Sequence, residues 1–175
     1  MRHIAIIGSG PAGYYTAEAA QKQWGDEVRV DVFDMLPVPY GLIRTGVAPD
    51  HQSIKGVSRR YETTALSDNV RFVGNVMIGK DVSVAELQQL YDAVVIATGG
   101  FEWNAALVKA FLRGPMTGPV SVPENEGDGL LMAIEAGAQL GNMQNAFWMQ
   151  SALEMKPQRG ARPNYMLGSD ERARP

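Results

Sequence analysis

The chain has 175 residues and a formal net charge of −3, with 16 basic and 19 acidic side chains. Its composition, 45% hydrophobic and 20% charged, is typical of a folded globular domain, and the charge gives no long-range attraction to nucleic acid or an anionic membrane. The absence of cysteine excludes disulfides and thiolate metal ligands. The apolar run at residues 4–7 ends at Gly8, too short for a signal-peptide core or a membrane span. We therefore expect one cytoplasmic domain over residues 1–175, with no metal and with neither nucleic acid nor a membrane as partner.

Residues 1–34 predict a βαβ unit. The sequence HIAIIG at residues 3–8 is a β-branched run that ends in glycine, which is typical of a buried parallel strand. Pro11 suits the first turn of a helix, which we expect over residues 12–23. The sequence VRVDVFD at residues 28–34 predicts a second strand. Strand, helix and strand in close succession indicate an α/β fold with a parallel sheet.

Strands and helices continue to alternate up to Gly100. Residues 35–52 are rich in proline and glycine, which predicts a long loop built from turns. The further expected elements are a helix over residues 53–66 with Leu66 facing inward, one or two strands over 70–78, a helix from the capping box Ser83-x-x-Glu86 to residue 90, and a buried strand over 93–97.

After Gly100 the pattern predicts helices and no further strand. Asn104 is placed to cap a helix that stops at Gly114, and Asp128 is placed to cap a second helix over residues 130–140. Residues 151–175 contain three prolines and few apolar residues, which is typical of a chain terminus without a core of its own.

Gly8, Gly10 and Gly13 have the G-x-G-x-x-G spacing of a dinucleotide-binding turn, with a predicted strand before it and a helix after it. Glycine at the middle position lets a diphosphate approach bare backbone, and the helix N-terminus supplies free amides to it. Asp34 ends the second predicted strand, where a carboxylate accepts hydrogen bonds from the adenosine ribose. FAD and NAD share this ADP half, so the glycines leave both cofactors open, and a purely structural glycine turn is the remaining alternative.

Four stretches of the first hundred residues carry a resemblance to a known family: IAIIGSGPAGYYTAEA, PYGLIRTGVAPDH, DNVRFVGNV and YDAVVIATG. From residue 3 to residue 99 the chain resembles the adrenodoxin reductase family of ferredoxin-NADP reductases. The resemblance implies an FAD-binding domain of the glutathione reductase type, with a Rossmann-like parallel sheet. The cofactor-binding positions that the glycine spacing and the resemblance together imply are Gly8, Gly10, Pro11, Ala12 and Gly13 at the pyrophosphate, Asp34 at the ribose, Leu42 and Ile78 at the adenine or flavin, and Ala97, Thr98 and Gly99 at a strand end.

Some of these assignments have ordinary structural alternatives. For Leu42 and Ile78 the alternative is packing in the core. His51, in the sequence PDH, resembles a family position near the flavin and is the one candidate for proton transfer, while an ordinary loop histidine is its alternative. Otherwise the catalytic residues are unknown.

From residue 97 to about residue 150 the chain resembles a different group, the fumarate reductase and 3-ketosteroid dehydrogenase-like FAD enzymes, through the sequence ATGGFEWN and a later GDG. A fainter likeness is present in LGSDERARP near residue 175. This resemblance implies that Gly99 and Gly100 run against FAD and that Asp128 hydrogen-bonds it. We therefore hypothesise a chimera that arose by engineering or recombination. It would be one FAD-binding domain assembled from a reductase-like segment, 1–98, and a helical segment with an irregular tail, 99–175, around a truncated sheet.

The leading functional prediction is a compact FAD-binding module with the generic redox chemistry of the flavin. One alternative is a ferredoxin-NADP reductase-like oxidoreductase completed by another chain or by dimerisation, and another is a module that binds NAD or ADP without flavin. No second glycine-rich turn for NADPH follows residue 99, and no substrate-site residues are recognisable, so the sequence leaves open whether the protein is an enzyme. An unpaired edge of a truncated sheet would favour a homodimer, and a redox-protein partner also stays open.

Overall fold

The computed structural model describes residues 1–47, 51, 55–113, 119 and 121–146. Its elements, in chain order, are β1 (Arg2–Ile7), α1 (Pro11–Trp24), β2 (Val28–Phe33), α2 (Leu42–Thr45), α3 (Ser58–Ala65), β3 (Val70–Val73), α4 (Val84–Leu90), β4 (Ala93–Ile96), α5 (Ala105–Phe111) and α6 (Asp128–Glu135). No helix in the described part of the chain combines the length and hydrophobicity of a membrane span.

The strands form one parallel sheet in the order β3-β2-β1-β4. The predicted α/β fold with a Rossmann-like sheet is thereby confirmed. In the register, Ile4 of β1 lies opposite Val30 on one side and Ala93 on the other. The chain moves outward from β1 to β3 and then crosses back to place β4 on the other side of β1. This reversal makes a crevice at the carboxyl ends of β1 and β4, the position where parallel α/β sheets bind ligands.

Both faces of the sheet are covered by apolar side chains, which explains why the sequence of β1 is continuously apolar after its first residues. On one face Ile4 and Ile6 pack with the valines of β2 against Ala17 and Ala20 of α1, whose small side chains let the helix lie close to the sheet. On the other face Leu87 of α4 joins a separate buried cluster of sheet residues. β1 is therefore an interior strand, as its composition predicts.

The β4 strand differs from its prediction as a buried strand. Among the described residues it pairs only with β1, so it is an edge of the sheet. Ala93 is exposed, and the other three residues of the strand are half-buried. The apolar composition predicts the strand correctly, but it does not reveal whether another strand pairs with it on each side.

Helix boundaries account for the other differences. The predicted long loop contains the short helix α2. The helix expected over residues 53–66 is α3, which ends at Ala65, and residues 53 and 54 lie outside the described residues. Leu66, predicted to face inward, is 78% exposed because it follows the end of this helix. α6 ends at Glu135, five residues before the predicted end, because Gly137 takes a positive φ of 89° and its amide bonds back to Ile134.

The three predicted N-caps have different outcomes. Ser83 and Glu86 form the complete capping box of α4, and the Asn104 side chain accepts from the amides of Ala106 and Leu107, so both predictions are confirmed. The predicted cap at Asp128 is wrong. The N-cap residue of α6 is Gly127 in the left-handed conformation, and Asp128 is the first helical residue, without a capping bond. The tail at residues 151–175 lies outside the described residues.

Candidate functional site

The candidate site lies where β1 and β4 end. The amide of Ala97 donates to the carbonyl of Ile7 at 2.7 Å, so the two chains stay together past their last paired residues. Gly8 follows with a φ of 109°, and a Cβ there would lie 2.4 Å from the Ala97 carbonyl oxygen. Only glycine meets both conditions. The turn after β1 is therefore fitted closely against Ala97 and Thr98, two positions that the sequence assigns to the site.

The other two glycines of the turn have opposite surroundings. A Cβ on Gly13 would lie 2.0 Å from the carbonyl oxygen of Gly8, so α1 can start on the turn only with glycine at this position. A Cβ on Gly10 would meet nothing within 4 Å, and its φ of −77° and ψ of −170° are open to any residue. The fold therefore requires Gly8 and Gly13, whereas Gly10 leaves open space above the backbone.

The amides of the turn divide into those that the protein uses and those that it leaves available. Gly8 donates to Phe33, and Tyr14 donates to the carbonyl of Gly10. Pro11 has no N–H. The amides of Gly10, Ala12 and Gly13 donate to no acceptor among the described residues. Donors of this kind, at the positive end of a 14-residue helix, suit an anion such as a diphosphate.

Asp34, next to the end of β2, points its carboxylate at this turn. Its Oδ2 accepts from the Ser9 amide at 3.1 Å and from the Ser9 hydroxyl, and its Oδ1 accepts from the Leu36 amide at 2.9 Å. The residue is half-buried. The predicted ribose acceptor and the predicted diphosphate turn therefore lie side by side.

The segment after β2 folds back over the glycine turn. The Tyr40 amide donates to the Ser9 carbonyl at 3.0 Å, and a Cβ on Gly41 would lie 2.9 Å from the Cα of Gly10. Leu42 follows directly and is 45% exposed, so it stands at the turn with nearly half of its side chain uncovered. This placement is compatible with the predicted cofactor contact of Leu42, which stays a prediction.

A tyrosine cluster lies beneath this segment. Tyr14 is 1% exposed, stacks on Tyr61 with ring centroids 5.6 Å apart, and packs against Tyr40 and Ile43. Burial raises the pKa of the Tyr14 phenol well above its usual value, and the nearby Tyr40 and Asp34 charges raise it further. The Tyr14 hydroxyl has no hydrogen-bond partner among the described residues.

The start of α6 lies beside the end of β4. A Cβ on Gly129 would be 2.2 Å from Oγ1 of Thr98, which brings the amino end of the helix to the predicted site. Asp128 is exposed there. In the residues that follow Thr98, a Cβ on Gly99 would meet Asn125 and one on Gly100 would meet Glu102. Both glycines are thus bordered by side chains of this chain, and their predicted contact with FAD stays a prediction.

The remaining predicted positions are Ile78 and His51. Ile78 is half-buried and packs with the cluster that contains Phe33 and Leu87, which agrees with the core-packing alternative. His51 is exposed, and its carbonyl accepts from the amide of Lys55 at 3.1 Å; the residues on either side of it are outside the described chain. No group of potential metal ligands occurs among the described residues.

Sequence reasoning missed Ser9 and Gly41. Ser9 stands between two glycines that explain the turn by themselves, and only the fold shows that both its amide and its hydroxyl meet Asp34. Gly41 follows Pro39 and Tyr40, which suggests a turn but not its contact with Gly10. In both cases a small residue next to a recognised motif was the available signal.

Comparison with known proteins places the turn in a family. The family model described as pyridine nucleotide-disulphide oxidoreductase matches residues 2–118. Cindoxin reductase of Citrobacter braakii is 51% identical over 96 residues, which cover 55% of this chain and 21% of that protein. NADPH-ferredoxin reductase FprA of Mycobacterium leprae (strain TN) is 48% identical over 103 residues, which cover 57% and 23%. Human mitochondrial NADPH:adrenodoxin oxidoreductase is 45% identical over 102 residues, which cover 58% and 20%.

A solved structure is also similar to this chain. FprA of Mycobacterium tuberculosis in complex with NADPH matches with a TM-score of 0.55 and 44% identity, over 57% of this chain and 23% of that one. The chain thus spans between 20% and 23% of the length of the relatives named here. The predicted resemblance of residues 3–99 to the adrenodoxin reductase family is confirmed. The family match continues past residue 99 to residue 118, and the second resemblance, with the chimera built on it, stays a prediction.

Proposed function

Since the chain belongs to the pyridine nucleotide-disulphide oxidoreductase family, a family of FAD-binding flavoproteins, we propose that it is a module that binds FAD through its glycine turn. Any redox activity of the module would be that of the flavin, which accepts and donates electrons when bound.

One observation carries the proposal: the glycine turn has three amides that donate to no acceptor within the described part of the chain, and its Ser9 amide donates to the carboxylate of Asp34. The amides of Gly10, Ala12 and Gly13 would hold the diphosphate, since backbone donors at a helix N-terminus favour anions. Asp34 would accept from the ribose. This donor and acceptor set fits the ADP half of FAD, and it gives a reason to expect FAD rather than FMN, which lacks that half.

The other predicted contacts lie beyond the diphosphate. Leu42 would pack near the adenine or the flavin, and Ala97 and Thr98, which border the glycine turn, would pass the cofactor with their backbone. Gly99, Gly100 and Asp128 would border the cofactor at the same strand end, and the contacts of His51 and Ile78 with the cofactor stay predictions.

We further propose that residues 1–175 act as one domain. The contact of Gly129 with Thr98 and Ile96 supports this, because it joins α6 to the end of β4. Hydrogen bonds between the stretches on either side of α5, such as Asn125 Nδ2 to Glu102 Oε1 at 3.0 Å, support it as well.

The direct test is the identity and stoichiometry of the cofactor. The purified full chain is stripped of bound nucleotide and titrated with FAD, FMN and NAD, with the flavin absorption spectrum and calorimetry as readouts. We expect saturable binding of FAD at one equivalent, and FMN should bind far more weakly. Binding of NAD with no binding of FAD would support the alternative module without flavin, and binding of neither would refute the proposal.

The names of the relatives favour a second candidate, a reductase whose other parts come from a partner chain or a dimer. Because this chain covers about a fifth of the length of those proteins, the activity of the whole protein stays a proposal for it. NADPH-dependent reduction of ferricyanide by the FAD-loaded chain, measured over a range of protein concentrations, tests this candidate. Turnover that rises with the square of the protein concentration would indicate a dimer, and no turnover would exclude activity of the chain alone.

A further inference from the structure

We propose that Ser9 is a positioning residue that orients the Asp34 carboxylate so that it recognises a single hydroxyl group of the adenosine ribose. The inference rests on the proposed function, because it concerns the same nucleotide site. Ser9 stands at a variable position of the glycine motif, and its bonds to Asp34 would limit recognition of the ribose to one hydroxyl group.

The geometry of Ser9 excludes direct contact with a ligand. The residue is fully buried, at 0% exposure, between Gly8 and Gly10. Its amide and its hydroxyl both donate to the same oxygen, Oδ2 of Asp34. The effect of Ser9 on a nucleotide must therefore pass through Asp34.

The remaining acceptor capacity of Asp34 follows from counting its hydrogen bonds. An ionised carboxylate offers roughly four lone-pair positions, two on each oxygen. Ser9 occupies both positions on Oδ2, and the Leu36 amide occupies one on Oδ1. No other group in the described ranges donates to Oδ1, so one position on this oxygen is left for a ligand. A ribose presents two neighbouring hydroxyl groups, and only one of them can donate to it.

The backbone of Ser9 makes a further hydrogen bond that does not involve Asp34. Its carbonyl accepts from the Tyr40 amide at 3.0 Å, a bond that any residue at position 9 would keep. Ser9→Ala therefore removes the hydroxyl bond alone and retains both backbone bonds. Without that bond, Oδ2 regains a free position and the carboxylate is held by two amides.

The test compares ADP with its 2′-deoxy and 3′-deoxy analogues by calorimetry. In the unmodified chain, we expect one analogue to bind about tenfold more weakly than ADP, the factor typical of one hydrogen bond to a charged group. The other analogue should bind nearly as well as ADP. Equal losses for the two analogues would overturn the inference without the use of any variant.

The variants supply the second part of the test. In Ser9→Ala, the ratio between the two deoxy analogues should shrink by about threefold or more, a change of roughly 0.7 kcal/mol at tenfold per 1.4 kcal/mol. Ser67→Ala, which removes a hydroxyl that bonds to Thr63 far from the turn, should leave the ratio unchanged. An unchanged ratio in Ser9→Ala would overturn the inference while ADP binding upheld the proposed function. Failure of ADP to bind the unmodified chain would refute both.

Discussion

Gly13 and Gly8 are in such close contact that a methyl group on Gly13 would lie 2.0 Å from the Gly8 carbonyl oxygen. Gly10, between them in the same motif, would place a methyl group in open space. The two kinds of glycine therefore serve different purposes. One kind lets α1 start directly on the turn, and the other keeps the surface free where a diphosphate would approach.

This contrast predicts that variants at the two positions fail in different ways. Gly10→Val should fold normally, because its backbone angles suit valine and a Cβ at this position meets nothing within 4 Å, but it should lose detectable FAD binding. Gly13→Ala should reduce the free energy of unfolding by about 1–3 kcal/mol, the usual cost of overpacking. Thermal unfolding and FAD titration of both variants check this. Loss of stability in Gly10→Val would show that its open face is occupied by the protein itself.

Asp128→Ala should have a smaller effect on FAD binding than Gly10→Val. Asp128 is exposed and makes no capping bond, so its removal should leave the melting temperature nearly unchanged. The proposed hydrogen bond to the cofactor would be lost, while the diphosphate amides would stay. Parallel FAD titrations measure the difference, and equal losses in the two variants would contradict the ranking of the two contacts.

Tyr14→Phe should stabilise the protein. The Tyr14 hydroxyl is buried and has no hydrogen-bond partner in the described part of the chain, and removing such a group relieves a desolvation cost of about 1–3 kcal/mol. The matched control is Tyr91→Phe, which removes a hydroxyl that donates to Asp31 at 2.6 Å and should therefore destabilise the protein. Urea unfolding of both variants measures whether each substitution raises or lowers the free energy of unfolding. A lower stability of Tyr14→Phe would show that its hydroxyl has a partner in solution.

The Tyr91 side chain, used above as the control, should make the protein less stable at alkaline pH. Burial, followed by the hydrogen bond to Asp31, raises the pKa of Tyr91 to about 12 from its usual value of 10.0. A raised pKa means that the folded protein holds the phenol proton more tightly than the unfolded chain. The contribution is complete below pH 10 and is lost as the pH rises toward 12. The unfolding free energy of the unmodified chain should therefore fall more steeply above pH 10 than that of Tyr91→Phe. Parallel slopes would contradict the shift.

Gly129→Ala tests whether α6 is seated against the sheet. In a helix without tertiary contacts, alanine is about 1 kcal/mol more favourable than glycine. Here the added methyl group would lie 2.2 Å from Oγ1 of Thr98 and 2.8 Å from Cγ2 of Ile96, and both of these side chains are β-branched and stiff. We expect a lower melting temperature. A higher one would mean that α6 is not held there, which would argue against one continuous domain.

Features that depend on neighbours in the chain could be predicted. The unit β1-α1-β2, the capping box of Ser83 and Glu86, and the cap of Asn104 all follow from short-range patterns. The Asp128 cap failed although its residue type was suitable, because Gly127, one residue earlier, takes the left-handed conformation and starts the helix. Prediction at this level identifies an element more securely than the residue at which it begins.

Short-range patterns in the sequence are sufficient to predict the parallel α/β fold, the glycine turn and the acid that follows β2, because each depends on the spacing of residues within one supersecondary unit. Only the folded chain shows that β4 is an edge of the sheet in the described ranges, that Gly10 is open whereas Gly13 is closed, and that Ser9 bonds to one oxygen of Asp34. These properties depend on atoms brought together from distant positions in the chain. Free space and unused hydrogen-bonding capacity belong to the folded arrangement, and no single residue type encodes them.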